Sequence, residues 1–471
     1  MALQLPPALE ARIRAAGQAA VLRFWPRLDE PAQRSFLSQL ETVDWAAIPG
    51  LVALVADRRS GHQTATAIAG DLATARTPPV LSLETDPTAE AAAERGRAAL
   101  AAGRIGAILV AGGQGTRLGS SAPKGVYPVG PVSGRSLFEL LLGRLVAIRR
   151  RYGRDVPLAI MTSSSTDAET RSYLKSHGWC GLDSERVLIF RQQDLPTVDA
   201  ATGAMLLDGP GRLAVAPDGH GGMLTALASR GGLDWFARQG VEHVASFQVD
   251  NPLAMPLDPR FLGQHLHGRA DFSTQVIRKR EPGERVGVVV ESGGRYRVVE
   301  YSDLPAAVAA ERLPEGRLRF DAGSIAVHAF ALDFLSRAAA EGLLPLHLAL
   351  KAVPFVDATG TRVVPSAPNA IKFERFIFDL MPFAERVCVV EIDAADGFAP
   401  LKNPPGAAAD AIEHVQAALV AFARRTLATA GVKVADGVPV ELDPASILDA
   451  ADVARSVPPG TTLTQPTLVG R

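Results

Sequence analysis

IGAILVAGGQGTRLGSSAPKGVYP, residues 105–128, runs from an apolar strand into a glycine-rich loop. The run from Ile105 to Ala111 has strand length and β-branched content. It breaks into Gly112, Gly113, Gly115 and Gly119, with Thr116 and Arg117 between them and Pro123 and Lys124 after. Glycine lets backbone N–H groups approach a phosphate closely and takes φ > 0 without steric penalty. Arg117 and Lys124 add two cations, so the loop suits a nucleoside triphosphate. Two common phosphate loops do not fit. Lys124 stands between Pro123 and Gly125, which excludes G-x-x-x-x-G-K-[ST]. After Gly113 and Gly115 the next glycine is Gly119, one residue too late for G-x-G-x-x-G.

The chain around this stretch has 471 residues, 47% hydrophobic and 21% charged. That length accommodates about two to three domains. A formal net charge of −1 argues against a nucleic-acid binder. Two distant cysteines, Cys180 and Cys388, give no metal spacing and no disulfide framework, as expected of a cytoplasmic protein. The N-terminus lacks the pattern of a signal peptide, and no apolar run has membrane-spanning length. No membrane partner is expected.

Residues 1–100 read as a helical accessory region. Helices are expected over 8–25, ended by Pro26, over 31–40, after Asp44, and over 90–102, with a proline-rich linker or crossover at 77–87. Trp25, Phe36 and Trp45 read as packing residues. Strands and helices then alternate: a helix over 136–149, a strand over 156–162, a helix to Leu174 capped by Ser165 or Thr166, and strands at 187–190, 241–249, 272–279 and 286–290. This order predicts a doubly wound α/β sheet with ligands at the carboxyl ends of the strands. Residues 101–390 form the expected catalytic domain, and 391–471 a C-terminal segment or small domain. Asp250 ends the strand over 241–249, where a carboxylate suits Mg²⁺ held with phosphate oxygens and water, or an ordinary Asx turn. His265 and His267 have no further ligand at metal spacing.

The whole string around Gly112 resembles the signature loop of the eukaryotic-type UDP-sugar pyrophosphorylases (UDPGP type 1), nearest to the UDP-N-acetylglucosamine branch. The resemblance spans about residues 100–405. It implies a mixed-sheet, Rossmann-like, glycosyltransferase-A-like nucleotidyltransferase core. It also implies that UTP and a sugar 1-phosphate are the substrates. Arg117, Lys124 and Lys402 (in A-P-L-K-N) become the expected catalytic cations. Gly112, Gly113, Gly115, Thr116, Gln193, Gly219 and His220 become nucleotide contacts, with Gln193 on uracil. Asp250, in V-D-N, becomes the metal ligand. Gly287, Glu300, Ser324, Phe376 and Phe378 become sugar contacts, the two phenylalanines sharing one face of a strand.

Two departures bear on the sugar. His220 stands where N-acetylglucosamine enzymes usually carry asparagine, and looks more like the UDP-glucose enzymes. Asp321, Ser324 and Val327 replace three asparagines of N-A-G-N-I-A-N-H. The expected activity is a sugar-1-phosphate uridylyltransferase for N-acetylglucosamine 1-phosphate. Glucose 1-phosphate is the alternative, and a non-catalytic UDP-sugar-binding protein is a third reading.

Overall fold

The chain winds outward in both directions from the Ile105–Val110 strand. In the computed structural model, which describes residues 3–59, 72 and 74–470, this strand pairs in parallel with Leu158–Thr162 on one side and His243–Gln248 on the other. Ile108 lies opposite Ala159 and Ser246. All of its residues up to Leu109 are buried, as expected for a strand covered on both faces. The path across the sheet is Leu81–Ser82, Val387–Glu391, Phe272–Arg278, Ala322–Ala331, His243–Gln248, Ile105–Val110, Leu158–Thr162 and Val187–Arg191. Of these, Ala322–Ala331 alone runs antiparallel to its neighbours. The hairpin of Val288–Ser292 and Arg295–Val299 joins it at Gly323. From Ile105 the chain steps one way to Leu158 and Val187, then returns to place His243 on the other side. The crevice between the Ile105 and His243 strands is therefore a topological switch point, where such sheets bind ligands.

The described residues fall into two compact units that do not follow chain order. One comprises segments within Met1–Gly70, Gln193–Gly222 and Leu344–Ile377. The other holds Asp71–Gln192, Met223–Leu343 and Phe378–Arg471, and contains the large sheet. In the first unit, Leu9, Phe36, Leu40 and Trp45 share a buried core with Val198, Leu207, Ile371 and Phe373. His347–Lys351, Ala370–Glu374 and Val198–Asp199 make a three-stranded antiparallel sheet there. In the second unit, Ser136 caps the helix Leu137–Tyr152 through a reciprocal capping box with Glu139.

Several expected elements change. The helix over 8–25 ends at Ala15, because Gly17 takes φ +73° and turns the chain into two short 3₁₀ turns. Residues 77–87 include the short strand Leu81–Ser82, parallel to Val387–Glu391. Thr166 is the cap residue of Asp167–Ser176, yet its hydroxyl accepts from the Ser163 N–H instead of the helix. At the C-terminus, Ile412–Thr429 packs with two parallel two-strand pairs and the helix Ala450–Ser456 around Leu427, Val440 and Val453. This tail belongs to the second unit, with the large sheet.

Candidate nucleotide and sugar-phosphate site

The glycine loop is held open by its own backbone. Gly115 N–H donates to the Ala122 carbonyl (2.9 Å) and Lys124 N–H to the Gly113 carbonyl (3.0 Å). Among the described residues, the N–H groups of Gly112, Gly113, Gln114, Thr116 and Arg117 donate to no protein acceptor. A row of exposed backbone donors following a strand is an anion cradle. Ser163 Oγ fixes the loop from the next strand by donating to the Gly112 carbonyl (2.7 Å). Arg117 and Thr116 are exposed on the loop.

Gln192, the neighbour of the expected uracil contact Gln193, is buried at the end of the Val187 strand. A Cβ added to Gly112 would lie 2.9 Å from its Nε2, so a side chain there would push the Gln192 amide from its place. Its Oε1 is buried with no hydrogen-bond partner, and a buried amide oxygen in that condition is poised to accept from a ligand. Gln193 has an exposed side chain, and its carbonyl accepts from the Asp218 N–H (3.1 Å). Register distinguishes the two: Gln192 N–H still pairs with the Thr162 carbonyl (2.9 Å).

Across the switch point, Lys124 Nζ lies 3.5 Å from Asp250 Oδ2, both side chains being largely buried. The turn after Asp250 is braced by the segment before Lys402. Leu401 N–H donates to the Asp250 carbonyl (2.8 Å), Asn251 Nδ2 donates to the Gly397 carbonyl (2.8 Å), and Asn251 Oδ1 accepts from Ala399 N–H (3.0 Å). Lys402 Nζ lies 5.8 Å from the centre of the Phe398 ring, within cation–π range. No group of three His, Cys, Asp or Glu among the described residues could hold a metal ion. Asp250 offers a single carboxylate at this point. That suits a magnesium ion completed by phosphate oxygens and water, as opposed to a protein cage.

Three of the four sugar candidates in this unit, Gly287, Glu300 and Ser324, also meet. Ser324 N–H donates to the Gly287 carbonyl (2.8 Å). A Cβ at Gly287 would lie 3.2 Å from Glu300 Oε1 and 2.9 Å from Val298 Cγ1. The strand carrying Ser324 shifts register against Phe272–Arg278, and Ala326 there takes φ +56°. Phe378 is buried in the same unit, within the 3₁₀ segment Ile377–Phe383.

The other unit carries the second glycine segment. Gly219 takes φ +80° and packs against Arg375, whose N–H donates to the Asp218 carbonyl (2.7 Å). Asp218 is fully buried; its Oδ2 lies 3.3 Å from Arg375 Nη1 and its Oδ1 has no partner. Burial pushes the Asp218 carboxyl up to about 6, against the pull of Arg375. His220 stacks on Phe376 at 5.3 Å, and its Nδ1 accepts from the Ile377 N–H (3.3 Å). Burial lowers the His220 imidazole to about 4, which keeps it neutral near pH 7. Phe376 and Phe378 do not share a strand face: the strand ends at Glu374, because the N–H and carbonyl of Arg375 bond to the glycine segment.

A doubly wound sheet with a glycine loop, a lysine and a carboxylate at its switch point defines a nucleotide-binding site of the nucleotidyltransferase type. The comparisons narrow the class. Residues 74–420 match the family described as UTP–glucose-1-phosphate uridylyltransferase, UDPGP, and the chain belongs to this family. It is 35% identical over 421 residues to UDP-N-acetylhexosamine pyrophosphorylase-like protein 1 of Xenopus tropicalis, covering 87% of this chain and 82% of that one. It is 36% identical over 356 residues to UDP-N-acetylglucosamine pyrophosphorylase of Saccharomyces cerevisiae, covering 74% of each. The fold is that of the uridine diphosphate N-acetylglucosamine pyrophosphorylase from Trypanosoma brucei, with TM-score 0.81 and 24% identity over 97% of this chain and 95% of that one. Among the described residues, no helix is long and apolar enough to cross a membrane.

Proposed function

We propose that the protein transfers uridylyl from UTP to N-acetylglucosamine 1-phosphate, giving UDP-N-acetylglucosamine and pyrophosphate. The observation that carries the chemistry is Lys124 beside Asp250 at the switch point of the sheet. Relatives about 35% identical, named for UDP-N-acetylglucosamine, favour that sugar.

The sugar phosphate is already an oxyanion at neutral pH, so no general base is needed. Its oxygen forms a bond to the α-phosphorus of UTP as the bond to the bridging oxygen breaks, and pyrophosphate leaves with that oxygen. The obstacle is repulsion between two polyanions, so positioning and charge neutralisation dominate. The loop N–H groups and Arg117 take the triphosphate. Lys124 neutralises charge beside it, and Lys402 meets the α-phosphate or the sugar phosphate. Asp250 would hold Mg²⁺, which supplies further charge neutralisation when bound. Gln192 presents its amide to the nucleobase, with Gly287, Glu300 and Ser324 facing the sugar.

A second reading, glucose 1-phosphate, is favoured by His220 stacked on Phe376 in place of the usual asparagine. Both cysteines are free, which suits a reducing compartment such as the cytoplasm. Pyrophosphate release with UTP and Mg²⁺ is the test, with both sugar phosphates offered in parallel. Faster release with N-acetylglucosamine 1-phosphate supports the first reading, and faster release with glucose 1-phosphate the second. Release with neither overturns both.

A further inference from the structure

Beside the helix Leu137–Tyr152 lies a cavity of about 560 Å³, lined by Leu141, Leu145, Ile148, Phe247, Leu257 and Leu448 among others. That volume and lining are those of a small-molecule pocket. Four arginines border it, and three are neutralised within the protein. Arg97 pairs with Glu90 and Glu94, Arg151 with Asp449 and Asp452, and Arg260 with Asp258. Arg144 differs. It bonds the Ala254 carbonyl (2.7 Å) and makes no ion pair among the described residues. A guanidinium has five N–H donors, so one carbonyl leaves most of its capacity open.

We propose that this cavity binds an amphipathic organic anion, its apolar body against the leucines and Phe247 and its acid group on Arg144. Protein packed around Arg144 lowers its pKa to about 10, the sign of a cation without a charge partner. Glu90, Asp258 and Asp449 also line the cavity, but each is paired with one of the other three arginines, so an acid group would find its partner in Arg144 beside the apolar wall. The site is separate from the glycine loop, and the proposal does not depend on the assigned reaction.

The test is fluorescence titration of the whole protein with 1-anilinonaphthalene-8-sulfonate in the presence of saturating UTP and Mg²⁺. One saturable site is expected, displaced by dodecanoate and unaffected by dodecyltrimethylammonium. Arg144→Leu should weaken binding at least tenfold, while Arg97→Leu stays within about threefold of wild type. Leu145→Trp, which fills the cavity, should abolish binding. The competition in wild type needs no variant, so it decides the matter if a variant fails to fold. Unsaturable binding, equal displacement by the cationic amphiphile, or unchanged affinity in folded Arg144→Leu would overturn the proposal.

Discussion

Lys124 Nζ and Asp250 Oδ2 lie 3.5 Å apart on loops that follow adjacent parallel strands, Ile105–Val110 and His243–Gln248. The two residues are far apart in sequence, and the sheet brings them together at its switch point. Lys124→Met and Asp250→Asn should each cut turnover by about a hundredfold or more, the scale of one lost transition-state contact. The double variant should lose less than the product of the two, since both act on one phosphate centre. Steady-state pyrophosphate release measures this, and additive losses would separate the two roles.

Gln192 and Gln193 are neighbours with opposite exposure. Gln192→Ala should raise the KM for UTP by about tenfold or more, the effect of one lost buried hydrogen bond. Gln193→Ala should remain within about twofold. The reverse ranking would return the nucleobase contact to Gln193.

A methyl group at Gly287 would press on Val298 and Glu300 at 2.9 and 3.2 Å. Gly287→Ala should therefore raise the KM for the sugar 1-phosphate by about tenfold, a shift of about 1.4 kcal/mol, with a smaller change for UTP. Initial rates with each substrate varied in turn would show it. Equal effects on both substrates would place Gly287 outside the sugar subsite.

Glu441 is buried and accepts from Val132 N–H (2.9 Å), Ser133 N–H (2.8 Å) and Ser133 Oγ (2.6 Å). Glu441→Ala leaves those donors without their acceptor and should cost about 3 kcal/mol of stability. Urea denaturation would measure it, and a loss below about 1 kcal/mol would mean that water replaces the carboxylate.

His265 bonds Ser273 Oγ (2.7 Å) and His243 Nδ1 (3.0 Å), and burial lowers its imidazole to about 3 from 6.5. Below pH 6.5 the unfolded chain binds a proton that the folded state refuses. This contribution is thus full above pH 6.5 and is lost as pH falls towards 3, by up to about 1.4 kcal/mol per unit. Asp218, raised from 3.8 to about 6, acts in the opposite sense: its contribution is full below 3.8 and is lost as pH rises through 6. Comparing His265→Gln with wild type separates the two. The variant's stability should fall less steeply between pH 6.5 and 4.5, whatever its value at pH 7. Parallel curves would show that His265 does not titrate in this way.

The strand, the glycine loop and Asp250 were legible because apolar period and glycine content are local signals. The two phenylalanines were misread for a definite reason. Alternation at Phe376 and Phe378 suggests a strand, but Arg375 spends both backbone groups on the segment around Asp218 and Gly221, which is remote in sequence. The choice between Gln192 and Gln193 depends on pairing with the Leu158 strand, and register is not written in either glutamine. The C-terminal module escaped in detail because its strands are two or three residues long and pair in parallel through intervening chain.

The smaller core joins Phe36 and Leu40 to Ile371 and Phe373. On a ribosome, the first helices meet Val198 and Leu207 of their core midway through synthesis, but the core stays open until Ile371 and Phe373 arrive. At about 5–20 residues per second, a gap of roughly 300 residues lasts on the order of 15–60 s. The early helices consequently wait in an incomplete core, open to chaperones and to premature association, and their final packing is a late event dominated by distant contacts.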